Sequence, residues 1–108
     1  LEQPLWTLAK HKFALPKEQR VPGMLEVAPL EFARAAAVAE RWVPAEGCLL
    51  GAEPMVADIL LGHTLSWALS FEQALPDALN AYHDAICSRP ALKAALDREA
   101  EAAVEEAP

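Results

Sequence analysis

The chain has 108 residues, of which 54% are hydrophobic, and it carries a formal net charge of −7. This length makes one domain with a modest core, and the acidic balance argues against a nucleic-acid or anionic-membrane surface, because such partners need clustered Lys and Arg. Ala and Leu are frequent whereas β-branched residues are scarce, so the composition predicts an all-α fold, a bundle of about five helices.

The first helix is predicted over residues 2–13. Its apolar side chains fall on two stripes at helical spacing: Leu1, Leu5 and Leu8 on the first, and Trp6 and Phe13 on the second. Residues 15–27 follow as a connector, because they hold two prolines and a glycine.

The second helix is predicted from about Pro29 to residue 43, where Pro44 stops it. Four of its side chains lie on one face of the helix and are expected to point inward: Phe32, Ala36, Ala39 and Val43.

Three further helices follow. The third begins at Pro54 and is apolar nearly all round as far as Leu69, which predicts that it is buried. The fourth is predicted over residues 76–88 and the fifth over 90–102, each with a proline at its start. The acidic residues 99–108 are expected to form a frayed tail.

The cysteines and histidines show no pattern typical of a metal site. Cys48 and Cys87 stand apart, and reduced thiols are favoured over a disulfide. Of the three histidines, His11, His63 and His83, the second lies within the third helix and is expected to be a hydrogen-bonded core residue.

One carboxylate stands out at the start of the third helix. Gly51 frees the backbone before the helix, and Asp58 falls in its first turn, within an otherwise apolar run. A buried charge needs hydrogen bonds, and the unpaired N–H groups and positive dipole end of a helix start can supply them. We therefore assign Asp58 a structural capping role and expect Asp58→Ala to cost about 1–3 kcal/mol.

The segment from Gly51 to Leu61 resembles the loop and capping box at the start of the sixth helix in the C-terminal domain of glutathione transferases. The family motif reads Ser/Thr-x-x-Asp, whereas residues 55–58 read Met-Val-Ala-Asp, so that a thioether replaces the capping hydroxyl. The resemblance continues at residues 49–51, 81–83 and 88–92. It is strongest over residues 47–96, and it implies that residues 1–108 form the helical C-terminal domain of that family.

The resemblance implies a glutathione-dependent parent enzyme, in which glutathione is the co-substrate. In that family a separate thioredoxin-like domain stabilises the glutathione thiolate, and a thiol needs such help to be an adequate nucleophile. Because no such domain is present, this chain is expected to bind no cofactor, to hold no catalytic residue and to be inactive alone. The start at Leu1, without an initiator Met, is what a severed C-terminal half would show.

The same resemblance places the second-substrate pocket and dimer contacts on the first helices. The candidate substrate-binding residues are Trp6, Lys10, His11, Phe13 and Trp67. Each also has a structural interpretation, because aromatic residues at helical spacing are usually core and lysines usually solvated. Tyr82 is assigned a structural role.

Two other interpretations are open: a non-catalytic interaction module of the kind attached to translation factors and tRNA synthetases, and a plain helical bundle. The expected partners are the thioredoxin-like domain of the parent and a second copy of the chain, since removal of that domain would expose an apolar patch around Leu1 and Leu5. We expect no membrane partner and a cytoplasmic location, because the longest apolar run is interrupted by polar residues and the N-terminus lacks a secretory signal pattern.

Overall fold

The computed structural model describes residues 1–106, and this part of the chain is helical. Five α-helices follow one another: α1 (Glu2–Ala9), α2 (Met24–Ala39), α3 (Val56–Ser70), α4 (Asp77–Cys87) and α5 (Pro90–Glu106). Helix α1 continues as a π-helical turn over Lys10–Ala14, and a short 3₁₀ turn spans Lys17–Gln19. Within residues 1–106 the only β pairing is an isolated bridge between Cys48 and Gly51. The predicted all-α bundle of about five helices is confirmed.

Helix α2 ends at Ala39 and not at the predicted residue 43, so Pro44 does not stop it. The starts of α2 and α3 also differ from the prediction, in both cases at a proline. Helix α2 begins at Met24, and Pro29 lies inside it rather than at its start. A proline there removes one backbone hydrogen bond, but the first bonds of the helix, including Val27 N–H to Gly23 O at 3.2 Å, form upstream of it. Helix α3 likewise starts after Pro54, with Met55 as the N-cap.

The C-terminal helices follow the prediction more closely. Helix α4 differs from the predicted range by one residue at each end, whereas α5 extends to Glu106, beyond the predicted end at residue 102. Its side chains are exposed from Lys93 to Glu106. Fraying of the acidic tail, residues 99–108, stays a prediction, and residues 107 and 108 lie outside the described range.

The core lies where α1 packs on α2 and α3 packs on α4. Leu5, Phe32, Leu65 and Leu79 are its largest fully buried apolar side chains. The four inward positions predicted for α2 hold, because two are fully buried and the other two pack against the core. Leu5, by contrast, was expected in an exposed patch, and that expectation is wrong, because Leu5 belongs to the core and has no exposed surface.

Helix α3 is buried on one side only. The prediction of a helix buried all round is wrong, because Val56, Ile59 and Leu60 are 69%, 63% and 63% exposed. The opposite side carries Leu65 and Ala68, which have no exposed surface. Helices α1 and α4 cover that inner side. The outer residues, together with Met55, form an apolar surface that we call the α3 outer face.

No helix within residues 1–106 combines the length and the apolar character that crossing a bilayer requires.

Candidate functional site

Asp58 joins the loop, helix α3 and helix α4 through hydrogen bonds. Its Oδ1 accepts the N–H of Leu49 at 2.9 Å and the hydroxyl of Tyr82 at 2.6 Å, while Oδ2 accepts the N–H of Met55, also at 2.9 Å. The bond from Met55 ties the N-cap to the third residue of the helix, which is the reciprocal half of a capping box. Asp58 is fully buried, so these three donors replace its hydration.

The loop before α3 brings Leu49 to the carboxylate. Cys48 N–H donates to Gly51 O at 2.8 Å, which closes a tight turn around residues 48–51. Gly51 has a φ of 148°, a conformation that residues with a Cβ rarely adopt. The glycine is therefore what lets the chain turn back and point the N–H of Leu49 toward Asp58.

Burial and hydrogen bonding have opposing effects on the pKa of Asp58, and both act on the pKa of its partner Tyr82. Burial alone would raise the pKa of Asp58, but the hydrogen bonds from Met55, Tyr82 and Leu49 outweigh it and lower the pKa below its ordinary value of 3.8. Burial, then the hydrogen bond to Asp58 and the negative charge of Asp58, raise the pKa of Tyr82 well above 10.0. Asp58 is thus an anion and Tyr82 a neutral donor at neutral pH, which is a structural arrangement.

An aromatic groove lies between α1 and α3. The ring centroids of Trp6 and Trp67 are 5.0 Å apart with an interplanar angle of 85°, an edge-to-face contact. The groove is open, with a volume of about 480 Å³. Its walls are five side chains: Trp6, His63, Ser66, Trp67 and Ser70. We call this feature the aromatic groove.

Two further rings extend the aromatic contacts beyond the groove. The ring centroid of Phe71 lies 5.9 Å from that of Trp67, and the ring centroid of Phe13 lies 6.1 Å from that of Phe71; both contacts are edge to face. Phe13 stands on the π-helical turn, whose carbonyls are capped from the connector: Arg20 Nη2 donates to Phe13 O at 3.0 Å, and its Nε donates to Leu15 O at 2.7 Å. The guanidinium therefore fixes the turn that carries this phenyl ring.

The five predicted substrate-binding residues are brought together only in part. Trp6 and Trp67 share the aromatic groove, and Phe13 is connected to them through Phe71. Lys10 is exposed. His11 accepts the N–H of Val21 at 2.9 Å through Nδ1, so it holds the connector against the π-helical turn.

The expectation for His63 is wrong. It is exposed and lines the aromatic groove, because it follows the exposed residues Ile59 and Leu60 by one turn of α3 and so lies on the same side of the helix. Cys48 and Cys87 are both free thiols.

Sequence reasoning missed a cluster of nucleophilic and basic side chains beside the groove, formed by Ser66, His83 and Cys87. Ser66 Oγ lies 2.8 Å from His83 Nε2, which in turn lies 3.2 Å from Cys87 Sγ. A detectable signal was present, since residues 83 and 87 are four apart on α4 and thus share one helix face. The contribution of Ser66 from another helix was not visible in the sequence. We call these three residues the thiol–imidazole cluster.

Comparisons with protein-family models, with curated proteins and with solved structures found no match. Among the described residues, no group of three or more His, Cys, Asp or Glu side chains is placed to hold a metal ion. Three features of the described residues are candidates for function: the aromatic groove, the α3 outer face and the thiol–imidazole cluster.

Proposed function

We propose that this chain is the helical C-terminal domain of a cytoplasmic, glutathione-dependent transferase, and that its aromatic groove holds the apolar part of the electrophilic substrate. The observation that carries the proposal is the edge-to-face pair of Trp6 and Trp67 forming an open groove of about 480 Å³. Apolar walls with a few polar groups are typical of small-molecule sites. The hydroxyls of Ser66 and Ser70 are such groups.

The glutathione thiolate would come from a separate thioredoxin-like domain, in keeping with the family that the sequence resembles. The three hydrogen bonds to Asp58 support that resemblance, because the carboxylate occupies the third position of α3 and binds the N-cap, as in the family motif. In this proposal glutathione is a co-substrate of the whole enzyme, and the chain supplies binding rather than thiol activation.

The α3 outer face is our candidate for the contact with that second domain. Its four apolar residues, Met55, Val56, Ile59 and Leu60, are each more than half exposed, and such contiguous apolar surface marks interaction sites. When the second domain is absent, the same face would pair with a second copy of the chain, and we propose a homo-oligomer on this basis.

The groove can be tested by titrating the protein with 8-anilinonaphthalene sulfonate, an apolar aromatic anion, and following its fluorescence. Trp6→Ala should weaken binding about two- to twelvefold, because an aromatic contact between the ligand and the Trp6 indole would contribute about 0.5–1.5 kcal/mol. Trp6 is 45% exposed, so the substitution leaves the core intact. Trp42→Ala is the matched control, since Trp42 is 75% exposed and does not line the groove. Equal affinities for both variants and the wild type would contradict the assignment.

A second experiment addresses glutathione. Fusion of the chain behind a thioredoxin-like domain should give conjugation of glutathione to an aromatic electrophile, and Trp6→Ala in that fusion should raise KM. The chain alone should show only the uncatalysed rate. A fusion that folds and binds glutathione, but whose KM for the electrophile is unchanged by Trp6→Ala, would refute the role of the groove.

The α3 outer face also favours a second candidate, a non-catalytic interaction module. Sedimentation over a concentration series would detect self-association through this face, and Ile59→Lys should abolish it. Val104→Lys is the control, because Val104 is also exposed and apolar but lies on α5. An interaction module would bind a protein partner through Ile59 while showing no ligand binding in the groove.

A further inference from the structure

The thiol–imidazole cluster lies where α3 packs against α4, one turn after Gly62. A Cβ added at Gly62 would lie 3.1 Å from Cγ2 of Ile86, which is closer than ordinary van der Waals contact, so the two helices are near each other at this position. One turn farther along α3, Ser66 therefore reaches α4. There Ser66 Oγ lies 2.8 Å from His83 Nε2 and 3.8 Å from Cys87 Sγ.

The surroundings of the imidazole indicate which nitrogen carries a proton. His83 Nδ1 is buried without a hydrogen-bond partner, and it lies 3.7 Å from Oδ1 of Asp84. A proton on Nδ1 would face that carboxylate favourably, whereas a lone pair would face a negative charge. With the proton on Nδ1, Nε2 is the acceptor of the ring, and two donors face it: the Ser66 hydroxyl at 2.8 Å and the Cys87 thiol at 3.2 Å. The hydroxyl hydrogen can rotate away from Nε2 when the thiol gives up its proton.

Ser66 places this cluster beside the aromatic groove. Its hydroxyl is part of the groove wall and also contacts both members of the pair on α4. Cys87 is only partly buried, whereas the other thiol, Cys48, is 3% exposed. Of the two thiols, that of Cys87 is the one next to the groove, because its Sγ lies 3.8 Å from the Ser66 Oγ of the groove wall.

We propose that Cys87 is a nucleophile that adds to α,β-unsaturated carbonyl compounds with an apolar body, with His83 as its general base and the aromatic groove as the binding site for that body. A cysteine next to a base is the usual arrangement of an activated thiol. The proposal goes beyond the transferase function, because the reacting thiol belongs to this chain and no glutathione takes part.

The addition balances without a further reactant. Nε2 of His83 takes the proton of the Cys87 thiol, and the sulfur electron pair forms a C–S bond to the β-carbon of the unsaturated carbonyl. The π pair of the C=C bond shifts toward the carbonyl as an enolate. The proton then passes from His83 to the α-carbon. The product is a thioether on Cys87, and nothing is oxidised or released.

The experiment compares two maleimides that share one reactive group, N-methylmaleimide and N-phenylmaleimide. Modification of Cys87 is followed by peptide mass spectrometry, with a synthetic peptide of residues 84–91 as the reference thiol because it holds Cys87 but not His83. Cys87 in the folded protein should react with N-methylmaleimide about tenfold faster than the peptide. His83→Gln should bring the rate to about that of the peptide.

The groove is tested by the ratio of the two rates. N-phenylmaleimide should be favoured over N-methylmaleimide about fivefold more at Cys87 than in the peptide, because the phenyl ring gains an aromatic contact. Trp6→Ala should remove this preference, whereas Trp42→Ala should keep it.

Three outcomes would overturn the proposal: a rate at Cys87 no higher than that of the peptide, an unchanged rate in a folded His83→Gln variant, or no phenyl preference. If His83→Gln does not fold, the comparison of wild-type protein with peptide still decides whether the site activates the thiol. Failure here is distinct from failure of the transferase proposal, because binding of 8-anilinonaphthalene sulfonate to the groove needs no thiol.

Discussion

Asp58→Ala tests the central structural claim, that one carboxylate holds the loop, α3 and α4 together. The substitution leaves three donors without their acceptor: the hydroxyl of Tyr82 and the N–H groups of Leu49 and Met55. Tyr82 is 3% exposed, so loss of its charged acceptor costs about 1.5–3 kcal/mol. Leu49 is partly buried and adds about 1 kcal/mol.

Two smaller effects adjust this figure. Met55 is 52% exposed, so water can replace part of its lost hydrogen bond, and the cap contributes about 0.5 kcal/mol. Removal of the carboxylate also relieves the cost of burying a charge. The net destabilisation is about 3 kcal/mol. With a slope of about 2 kcal/mol per M, the urea midpoint should fall by about 1.5 M.

Urea unfolding followed by circular dichroism measures this change, and Asp77→Ala is the matched control. Asp77 lies in the first turn of α4 and is exposed, so its removal should cost at most about 0.5 kcal/mol. Equal midpoints for the two variants would show that the hydrogen bonds to Asp58 contribute nothing beyond an ordinary charge at a helix start.

The same variant predicts a pH dependence. Because the pKa of Asp58 is lowered below 3.8 in the folded chain, its contribution is complete above pH 3.8 and is lost as the pH falls through the folded-state pKa. The stability difference between the wild type and Asp58→Ala should therefore shrink in acid. A difference that stays constant well below pH 3.8 would refute the ionised, hydrogen-bonded state.

Three further predictions concern single side chains. Tyr82→Phe should cost about 1.5–3 kcal/mol at neutral pH. The stability advantage of the wild type over Tyr82→Phe should shrink above pH 10.0, because folding raises the pKa of Tyr82. Phenolate absorbance reports the ionisation of Tyr82 directly, since the chain has one tyrosine. Glu72→Gly should raise the thermal stability by about 1 kcal/mol, because Glu72 has a φ of 59°, whereas Glu72→Ala, which keeps the strain, should not. Arg20→Ala should cost about 1–2 kcal/mol in urea unfolding through the two lost carbonyl contacts, and Arg20→Lys should recover at most half.

The number, type and order of the helices could be predicted from the sequence, and so could the burial of Asp58 at the start of α3. Helix type follows from local composition and spacing, which is why α4 and the start of α5 were predicted to within a residue. Asp58 was predictable because a charge in an apolar run at a helix start has few ways to be satisfied. The prediction that Pro29 begins the second helix was wrong, because the sequence does not distinguish a proline at a helix start from one inside a helix.

The predictions that failed were those that depended on how the helices pack against one another. The apolar residues on both sides of α3 favour burial of both sides, but the sequence does not show which side packs against the other helices of the same chain. Thus His63 and Ile59 were expected in the core and are exposed. The thiol–imidazole cluster was missed for a related reason, because Ser66 meets His83 only where α3 packs against α4 in the folded chain.

Helix α3 connects the structural and the chemical features of the molecule. Asp58, near its N-terminus, fixes the rotation of the helix by bonding Tyr82 on α4, and that rotation sets which side chains face α1 and α4. Ser66 and Trp67 lie a little more than two turns later on α3, and they depend on the same rotation to reach His83 and Trp6. A rotation of the helix would separate both pairs while leaving the helix itself intact. We therefore expect Asp58→Asn, if it folds, to weaken ligand binding in the aromatic groove and the reactivity of Cys87 together, although neither site touches Asp58. If both properties persist while stability falls, the orientation of α3 is set by the core around Leu65 instead of by the carboxylate.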